Sequence, residues 1–248
     1  MDINFGIFSL NQTPMDWNSN TDRLIRVLEK HHSDCDFFIF SELVLSSYGC
    51  QDYFLSEMFY QKEEQAIKKV VAATAGKSVV FGAAIRKDGR NYTCAIYAHD
   101  QKIIGIEAKK VLARAGVHYE PRWFDPWKPG AKTTIDLAGQ KNIAFGDLDL
   151  KVVDKDIKLK LQICEEAWLI DEILEQYGPE KRNKKYDLII NVSASHYSLN
   201  KCKRRHGVVQ KNSKIFGGIY LYANQLGLDS GRVAVSYTHL TLPTIYSV

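Results

Sequence analysis

The sequence lacks the cysteine spacings that hold metal ions or form disulfide frameworks. Its five cysteines stand at positions 35, 50, 94, 164 and 202, so the chain contains no C-x-x-C pair, and an odd count does not suit a disulfide set. No apolar run approaches the ~18 residues of a membrane span, and no cationic segment precedes an apolar stretch at the N-terminus, as it would in a signal peptide. We therefore expect a cytoplasmic protein with no membrane partner, in which a lone cysteine is either catalytic or buried.

A strong excess of charge of one sign is also missing. The 33 basic and 29 acidic side chains leave a net charge of +4, which is well short of the basic surface that a nucleic-acid-binding protein needs. The chain contains neither a complete GxxxxGK[ST] phosphate loop nor a GxGxxG fingerprint. We expect no nucleic-acid partner, and the clusters of Lys and Arg at residues 181–185 and 201–206 are interpreted as solvated faces.

The composition is otherwise that of a globular protein, with 45% hydrophobic and 25% charged residues. The C-terminus is the exception, because residues 235–248 contain no Asp, Glu, Lys or Arg where the average predicts about three or four. A polar terminal strand is one interpretation. The other is that back-translation of residues 235–244 resembles a sequencing adapter read in frame, which would make the tail a cloning scar. We expect one domain over residues 1–233 and an adapter-derived tail over residues 234–248.

Hydrophobic periodicity predicts an α/β fold in which single strands alternate with helices and one meander lies near the middle. Phe37-Phe38-Ile39-Phe40 is apolar at consecutive positions, as expected for a strand covered on both faces. A layered sandwich follows. The predicted strands cover residues 3–10, 36–41, 157–164, 186–192 and 217–224, with three more within 78–110, and the predicted helices cover 17–31, 51–73, 168–177 and 201–216.

Polar side chains follow three of these strands at the point where each strand ends. Glu42 follows the second strand, Lys109 follows the meander, and Cys164 ends a later strand. Taken alone, Glu42 could be a solvated loop residue, Lys109 and Lys110 a solvated pair, and Cys164 a small buried hydrophobe. Ligands bind outside strand ends in open α/β sheets, and a thiol becomes a useful nucleophile when a base and a cation lie beside it. A carboxylate, an ammonium and a thiol therefore predict one catalytic site.

The segments around these residues resemble a known superfamily. Residues 41–54 (SELVLSSYGCQDYF), 108–127 (AKKVLARAGVHYEPRWFDPW) and 161–168 (LQICEEAW), followed by 191–201 (NVSASHYSLNK), resemble the Glu, Lys and Cys motifs of the carbon–nitrogen hydrolases, or nitrilases. More narrowly, they resemble the N-terminal glutaminase domain of glutamine-dependent NAD synthetases. The resemblance implies a nitrilase-like α-β-β-α sandwich whose last strands are missing from this chain.

The resemblance also implies roles for individual residues. Glu42 would be the general base, Lys109 the cation beside the nucleophile, Cys164 the nucleophile, and Glu120 a second glutamate near this triad. The positions at which glutaminases of this kind contact glutamine are occupied here by Glu165, Ser193, Ser195 and Lys201.

Three positions depart from the family pattern. Ser41 and Ser47 stand where the family usually has Pro and Gly, so the turn after the second strand is expected to be reshaped. Ala115 stands where one branch of the family has a tyrosine that contacts glutamine. Substrate contacts near this position are therefore expected to differ.

The function implied by the resemblance is hydrolysis of glutamine to glutamate and ammonia through a cysteine thioester, with no cofactor for this step. The ammonia acceptor would be a synthetase domain that uses ATP and Mg²⁺ and is absent from this chain, and the full-length family suggests a homo-oligomer. Two alternatives stay open: a stand-alone amidase or nitrilase acting on another small amide, and a non-catalytic interaction module that keeps only the scaffold.

Overall fold

The computed structural model describes residues 3–114, 118–229 and 233–235. Expectations for Ala115, and for residues 236–248 of the tail, lie outside the described residues. The division of the chain at residue 233 stays a prediction.

Two sheets form the middle of the molecule. The first sheet contains strands β1 (Phe5–Ile7), β2 (Phe37–Ile39), β3 (Ser78–Lys87), β4 (Arg90–His99), β5 (Lys102–Ala108), β6 (Lys132–Leu137) and β7 (Gln140–Gly146). Their order across the sheet is β1-β2-β3-β4-β5-β7-β6, and the β1-β2-β3 pairings are parallel.

The second sheet contains strands β8 (Leu150–Lys151), β9 (Lys158–Ile163), β10 (Leu188–Ser193) and β11 (Ile219–Asn224). Their order is β11-β10-β9-β8, and β9, β10 and β11 run parallel. Strands β12 (Gly227–Asp229) and β13 (Val233–Val235) form a separate antiparallel pair.

Helices cover the outer faces of both sheets. The α-helices are α1 (Trp17–Lys30), α2 (Glu57–Ala72), α3 (Ile170–Glu175), α4 (Pro179–Arg182) and α5 (Lys201–Phe216), and 3₁₀ helices span Tyr48–Leu55, Glu120–Arg122 and Cys164–Ala167. Within the described part of the chain, no helix has the length and apolar character needed to cross a membrane.

The alternation of side chains along β2 explains the layers. Phe37 and Ile39 lie in the core between the two sheets, together with Leu161 of β9. Phe38 points the other way, into the core that α1 and α2 form against the first sheet. A separate core holds Val209 of α5 against the far face of the second sheet. Because successive side chains of a strand point to opposite faces, a fully apolar strand requires cover on both sides. The predicted α-β-β-α sandwich is confirmed.

The predicted helix over residues 51–73 is divided in two. A 3₁₀ segment ends at Leu55, Ser56 is extended with φ −77° and ψ 138°, and α2 begins at Glu57. The break brings the ring of Phe54 to 4.9 Å from that of Phe59, so both aromatic rings enter the same core. Aromatic packing therefore overrides helical continuity here.

Sequence periodicity did not predict the hairpin of β6 and β7. Its two-residue turn is Ala138-Gly139, with φ values of 53° and 81°, and turns with two positive φ values are usually marked by Asn-Gly or Asp-Gly. The β6 strand is also largely exposed and polar, so it carries little apolar signal.

Candidate active site

The strand ends bring three charged side chains into one buried cluster. Lys109 follows β5, and its Nζ lies 2.8 Å from Oε1 of Glu42, which follows β2. The same Nζ lies 2.7 Å from Oε1 of Glu120, which begins the second 3₁₀ helix. The three residues are at most 1% exposed. One ammonium thus holds two carboxylates away from water.

Burial sets the charge states of this cluster. Desolvation raises the pKa of Glu42 to about 7, against the opposing attraction of the Lys109 ammonium. Desolvation also opposes the charge of Lys109, but Glu120 and Glu42 outweigh it and raise the pKa of Lys109 well above its usual value. Lys109 is therefore a permanent cation, whereas Glu42 exchanges protons near neutral pH, as a general base should.

Cys164 directly follows β9 and begins a 3₁₀ helix. Its φ of 42° lies in the left-handed region, which costs a non-glycine residue roughly 1–3 kcal/mol and is common at functional sites. Desolvation raises the pKa of the thiol, Glu42 raises it further, and Lys109 lowers it. The resting form of Cys164 is consequently the thiol, and a reaction at its sulfur would need a neighbouring base to remove the proton.

A close backbone contact fixes the position of Glu42. A Cβ added to Gly82 of β3 would lie 2.5 Å from Cα of Glu42, so the strand can approach only because residue 82 is glycine. The main-chain N–H of Glu42 donates to the carbonyl of Ser193 (3.4 Å), and the N–H of Ala194 donates to Oε2 of Glu42 (3.1 Å). These hydrogen bonds join Glu42, at the edge of the first sheet where β2 ends, directly to the end of β10 in the second sheet.

A pocket of about 470 Å³ opens above Cys164, within the size range of small-molecule sites. Glu165 lines it, and so do the cations Lys201 and Arg204, which lie 5.6 Å and 6.0 Å from the ring centre of Trp168. A carboxylate and two cations in one pocket suit a ligand that carries both an ammonium and a carboxylate. No group of three or more His, Cys, Asp or Glu side chains that could hold a metal ion occurs among the residues that the structure describes.

The structure places most of the site residues predicted from the sequence around this pocket. Cys164, Glu165, Ser195 and Lys201 line it, and Glu42, Lys109 and Glu120 form the buried cluster beside the nucleophile. Ser193 is not among the pocket-lining residues, because its hydroxyl is buried and donates to Oδ1 of Asn191 at 2.6 Å.

Sequence reasoning missed two contributors to the site. Tyr48 donates its hydroxyl to Oε1 of Glu120 at 2.8 Å. His118 lines the pocket, and its Nε2 lies 2.8 Å from Nδ1 of His196. Burial and the neighbouring His196 lower the pKa of His118 to about 4, so its imidazole is neutral at physiological pH. Tyr48 and His118 both lie within segments that resemble the superfamily motifs, but the resemblance implied no role for either residue.

The chain is similar to known proteins over most of its length. No family model matches it. A glutamine-dependent NAD(+) synthetase of Dictyostelium discoideum is 30% identical over 237 residues, which cover 91% of this chain and 32% of that protein. The chain spans about a third of the length of the curated relatives it matches.

Solved structures show the same fold. A glutamine-dependent NAD(+) synthetase from Cytophaga hutchinsonii superposes with a TM-score of 0.79 at 31% identity, over 91% of this chain and 36% of that one. An amidase of the nitrilase superfamily from Nesterenkonia AN1 superposes with a TM-score of 0.68 at 13% identity, over 93% of this chain and 79% of that one. The second likeness is one of fold alone.

Proposed function

We propose that the chain belongs to the carbon–nitrogen hydrolase superfamily and that it hydrolyses the side-chain amide of glutamine to glutamate and ammonia through a thioester on Cys164. The observation that carries the proposal is the buried cluster of Glu42, Lys109 and Glu120 beside a cysteine that forms the floor of a charged pocket. Solved structures of the Nesterenkonia amidase carry acrylamide, or the acetamide group of fluoroacetamide, on an active-site cysteine, which supports thiol chemistry in this fold.

In the first step, Glu42 takes the thiol proton while the sulfur of Cys164 bonds to the amide carbon of the substrate. The carbonyl oxygen becomes an oxyanion. The Lys109 ammonium and the main-chain N–H of Glu165 are the proposed donors to it, and a donor of this kind contributes about 3–4 kcal/mol. Glu120 holds Lys109 charged and in place.

In the second step, the tetrahedral intermediate collapses and the C–N bond breaks. Glu42 returns its proton to the departing nitrogen, so ammonia leaves and the thioester remains on Cys164. Glu42 then takes a proton from water, whose oxygen bonds to the thioester carbon and releases glutamate as the thiol is restored. The thiol and the attacking water supply the protons and Glu42 transfers them, so we propose no cofactor for this reaction.

The pocket supports recognition of an α-amino acid. The Glu165 carboxylate would pair with the α-ammonium, Lys201 with the α-carboxylate, and Ser195 would hydrogen-bond the same end of glutamine. Arg204 at the rim adds a second cation that favours the carboxylate.

The names of the relatives support a wider role for the whole protein. We propose that the ammonia passes to a synthetase domain outside this chain, which would use ATP and Mg²⁺ to form NAD from its deamidated precursor. Assembly as a homo-oligomer and a cytoplasmic location belong to the same proposal. All five cysteines are free thiols, which is compatible with a reducing compartment.

The hydrolysis is tested by incubating the chain with glutamine and measuring both glutamate and ammonia. Cys164→Ala should abolish both products. Cys35→Ala, which removes a partly buried thiol packed against the helical core, should retain them. Undiminished hydrolysis by Cys164→Ala would refute the mechanism.

A stand-alone amidase is the second candidate, favoured by the likeness to the Nesterenkonia amidase. Hydrolysis rates for acetamide, propionamide, asparagine and glutamine separate the two candidate functions, because only a glutaminase needs both the carboxylate and the cations of the pocket. Recovering the reading frame beyond Val233 from the source DNA tests the wider role. A frame that ends soon afterwards without a synthetase domain would remove the NAD-forming part of the proposal.

A further inference from the structure

A second buried charge cluster lies directly behind the catalytic residues. It consists of Glu107, Lys110, Asp147, Lys160 and Glu166, and we call it the rear cluster. Each member is at most 5% exposed. Lys110 follows the proposed catalytic Lys109 in the chain, and Glu166 lies two residues after Cys164. The rear cluster therefore touches the ends of β5 and β9, two of the three strands that supply the proposed catalytic groups.

Ion pairs connect its members. Nζ of Lys110 lies 2.5 Å from Oε1 of Glu107 and 3.0 Å from Oε1 of Glu166. Nζ of Lys160 lies 2.8 Å from Oε1 of Glu107 and 2.7 Å from Oδ1 of Asp147. Sequence reasoning allowed that Lys109 and Lys110 were a solvated pair. The structure contradicts this for both lysines, because each enters a different buried cluster.

Glu166 accepts two main-chain N–H groups, one beside each of two proposed catalytic residues. Its Oε2 accepts the N–H of Ile163, the residue before Cys164, at 2.9 Å. Its Oε1 accepts the N–H of Lys110, the residue after Lys109, at 2.6 Å. One carboxylate thus links the backbone next to Cys164 with the backbone next to Lys109.

We propose that Glu166 is a positioning residue, whose two carboxylate oxygens hold the Cys164 turn at a fixed distance from the Lys109 backbone. The inference rests on the proposed function for its kinetic consequences. The contact to Ile163 also holds the chain where it enters the left-handed conformation of Cys164, and Nζ of Lys110 lies 3.0 Å from Oε1 of the same carboxylate. Glu166 does not line the pocket above Cys164, so it acts through the backbone and not on the substrate.

The decisive variant is Glu166→Gln. An amide offers one acceptor oxygen to two N–H donors, so one of the two backbone links is lost while size and shape are kept. A displacement of about 1 Å at a reacting group costs on the order of 100-fold in rate. We expect kcat for glutamine to fall roughly 100-fold, with KM within about threefold, because the pocket residues are unchanged.

Glu63→Gln is the matched control. Glu63 is equally buried and also accepts two N–H donors, Nε1 of Trp17 at 2.6 Å and the main chain of Ala84 at 3.1 Å. It is not among the residues that line the pocket. If the two variants lose similar thermal stability and lose kcat equally, Glu166 has only a structural role and the proposal is wrong.

A second measurement is independent of glutamine hydrolysis. The rate at which iodoacetamide alkylates Cys164, followed on its peptide by mass spectrometry across pH 6–9, reports the thiol environment directly. Glu166→Gln should change this rate profile, whereas Glu63→Gln should leave it as in the natural chain. A changed alkylation profile in a chain that does not hydrolyse glutamine would refute the proposed function but keep the positioning role.

The double variant Lys110→Met/Glu166→Gln separates positioning from charge balance. If Glu166 served only to neutralise Lys110, removal of both charges would restore kcat to within threefold of the natural chain, and that recovery would overturn the proposal. We expect kcat to stay low, because the backbone link is still missing. Should Glu166→Gln fail to fold, Glu166→Asp replaces it as the test: unchanged kcat in this shorter carboxylate would equally overturn the proposal.

Discussion

Replacing Lys109 by methionine should reveal how strongly the catalytic cluster is held together by one charge. The Lys109 ammonium contacts the carboxylates of Glu42 at 2.8 Å and Glu120 at 2.7 Å, and all three residues are buried. At an effective dielectric constant of about 20, each contact is an attraction of roughly 6 kcal/mol. Desolvation of the three charges, several kcal/mol for each ion, offsets most of it.

Removing the cation leaves two carboxylates buried beside each other without a counter-ion. Breaking a buried pair in this way costs about 3–5 kcal/mol, a large part of a typical stability of about 5–15 kcal/mol. The loss should depend on pH. Without the cation, burial and the neighbouring Glu120 hold the folded-state pKa of Glu42 above its unfolded value, so stability falls as pH rises and is retained when Glu42 is protonated.

Urea unfolding at pH 8 and at pH 5, followed by tryptophan fluorescence, measures this effect. We expect Lys109→Met to lose about 3–5 kcal/mol at pH 8 and clearly less at pH 5. The triple variant Lys109→Met/Glu42→Gln/Glu120→Gln should recover much of the stability and none of the hydrolysis. A loss below about 1 kcal/mol at pH 8, or an equal loss at both pH values, would refute the reasoning.

Three further predictions concern residues around the site. Burial raises the pKa of Glu63 to about 7 from an ordinary 4.5, so the free energy of unfolding falls as the pH rises between these two values. Thermal unfolding from pH 4 to pH 9 should show the natural chain losing ~3 kcal/mol relative to Glu63→Gln, and parallel curves would contradict this. Gly82→Ala should lower kcat roughly 100-fold by displacing Glu42, whereas Gly207→Ala, in open space within α5, should stabilise the fold by about 0.5–1 kcal/mol. Normal kcat in Gly82→Ala would disprove the close contact. Ser195→Ala should raise KM for glutamine while Ser193→Ala leaves it unchanged. A raised KM in Ser193→Ala alone would contradict the assignment of Ser195, and not Ser193, to the pocket.

Much of the fold could be predicted because the hydrophobic pattern of short segments indicates which faces of a strand or helix are buried. Phe37-Phe38-Ile39-Phe40 is apolar at every position and is covered on both faces. Helix α5 spans Lys201–Phe216, the bounds that its amphipathic pattern predicts. In both cases the information is local, since strand and helix periods can be read within a few residues. The predicted positions of Glu42, Lys109 and Cys164 at strand ends follow from the same local patterns.

What could not be predicted depends on contacts between residues far apart in the chain. Lys109 and Lys110 are identical neighbours, and their separate partners, Glu120 and Glu166, are decided by how the strands pair across the two sheets. Ser193 and Ser195 differ for another reason. A spacing of two would place both on one face of a strand, but β10 ends at Ser193, so only Ser195 turns towards the pocket.

The hydrogen bonds that join Glu42 to Ser193 and Ala194 tie the first sheet to the second. The proposed base and ammonium come from one sheet and the nucleophile from the other, so the two halves of the chemistry are aligned by the apolar layer between the sheets. A substitution that lets one sheet slide over the other, for example at Tyr97 or Leu161 in that layer, would alter the catalytic alignment without touching the pocket. The proposed hydrolysis therefore depends on the packing of one sheet against the other as well as on the residues of the pocket.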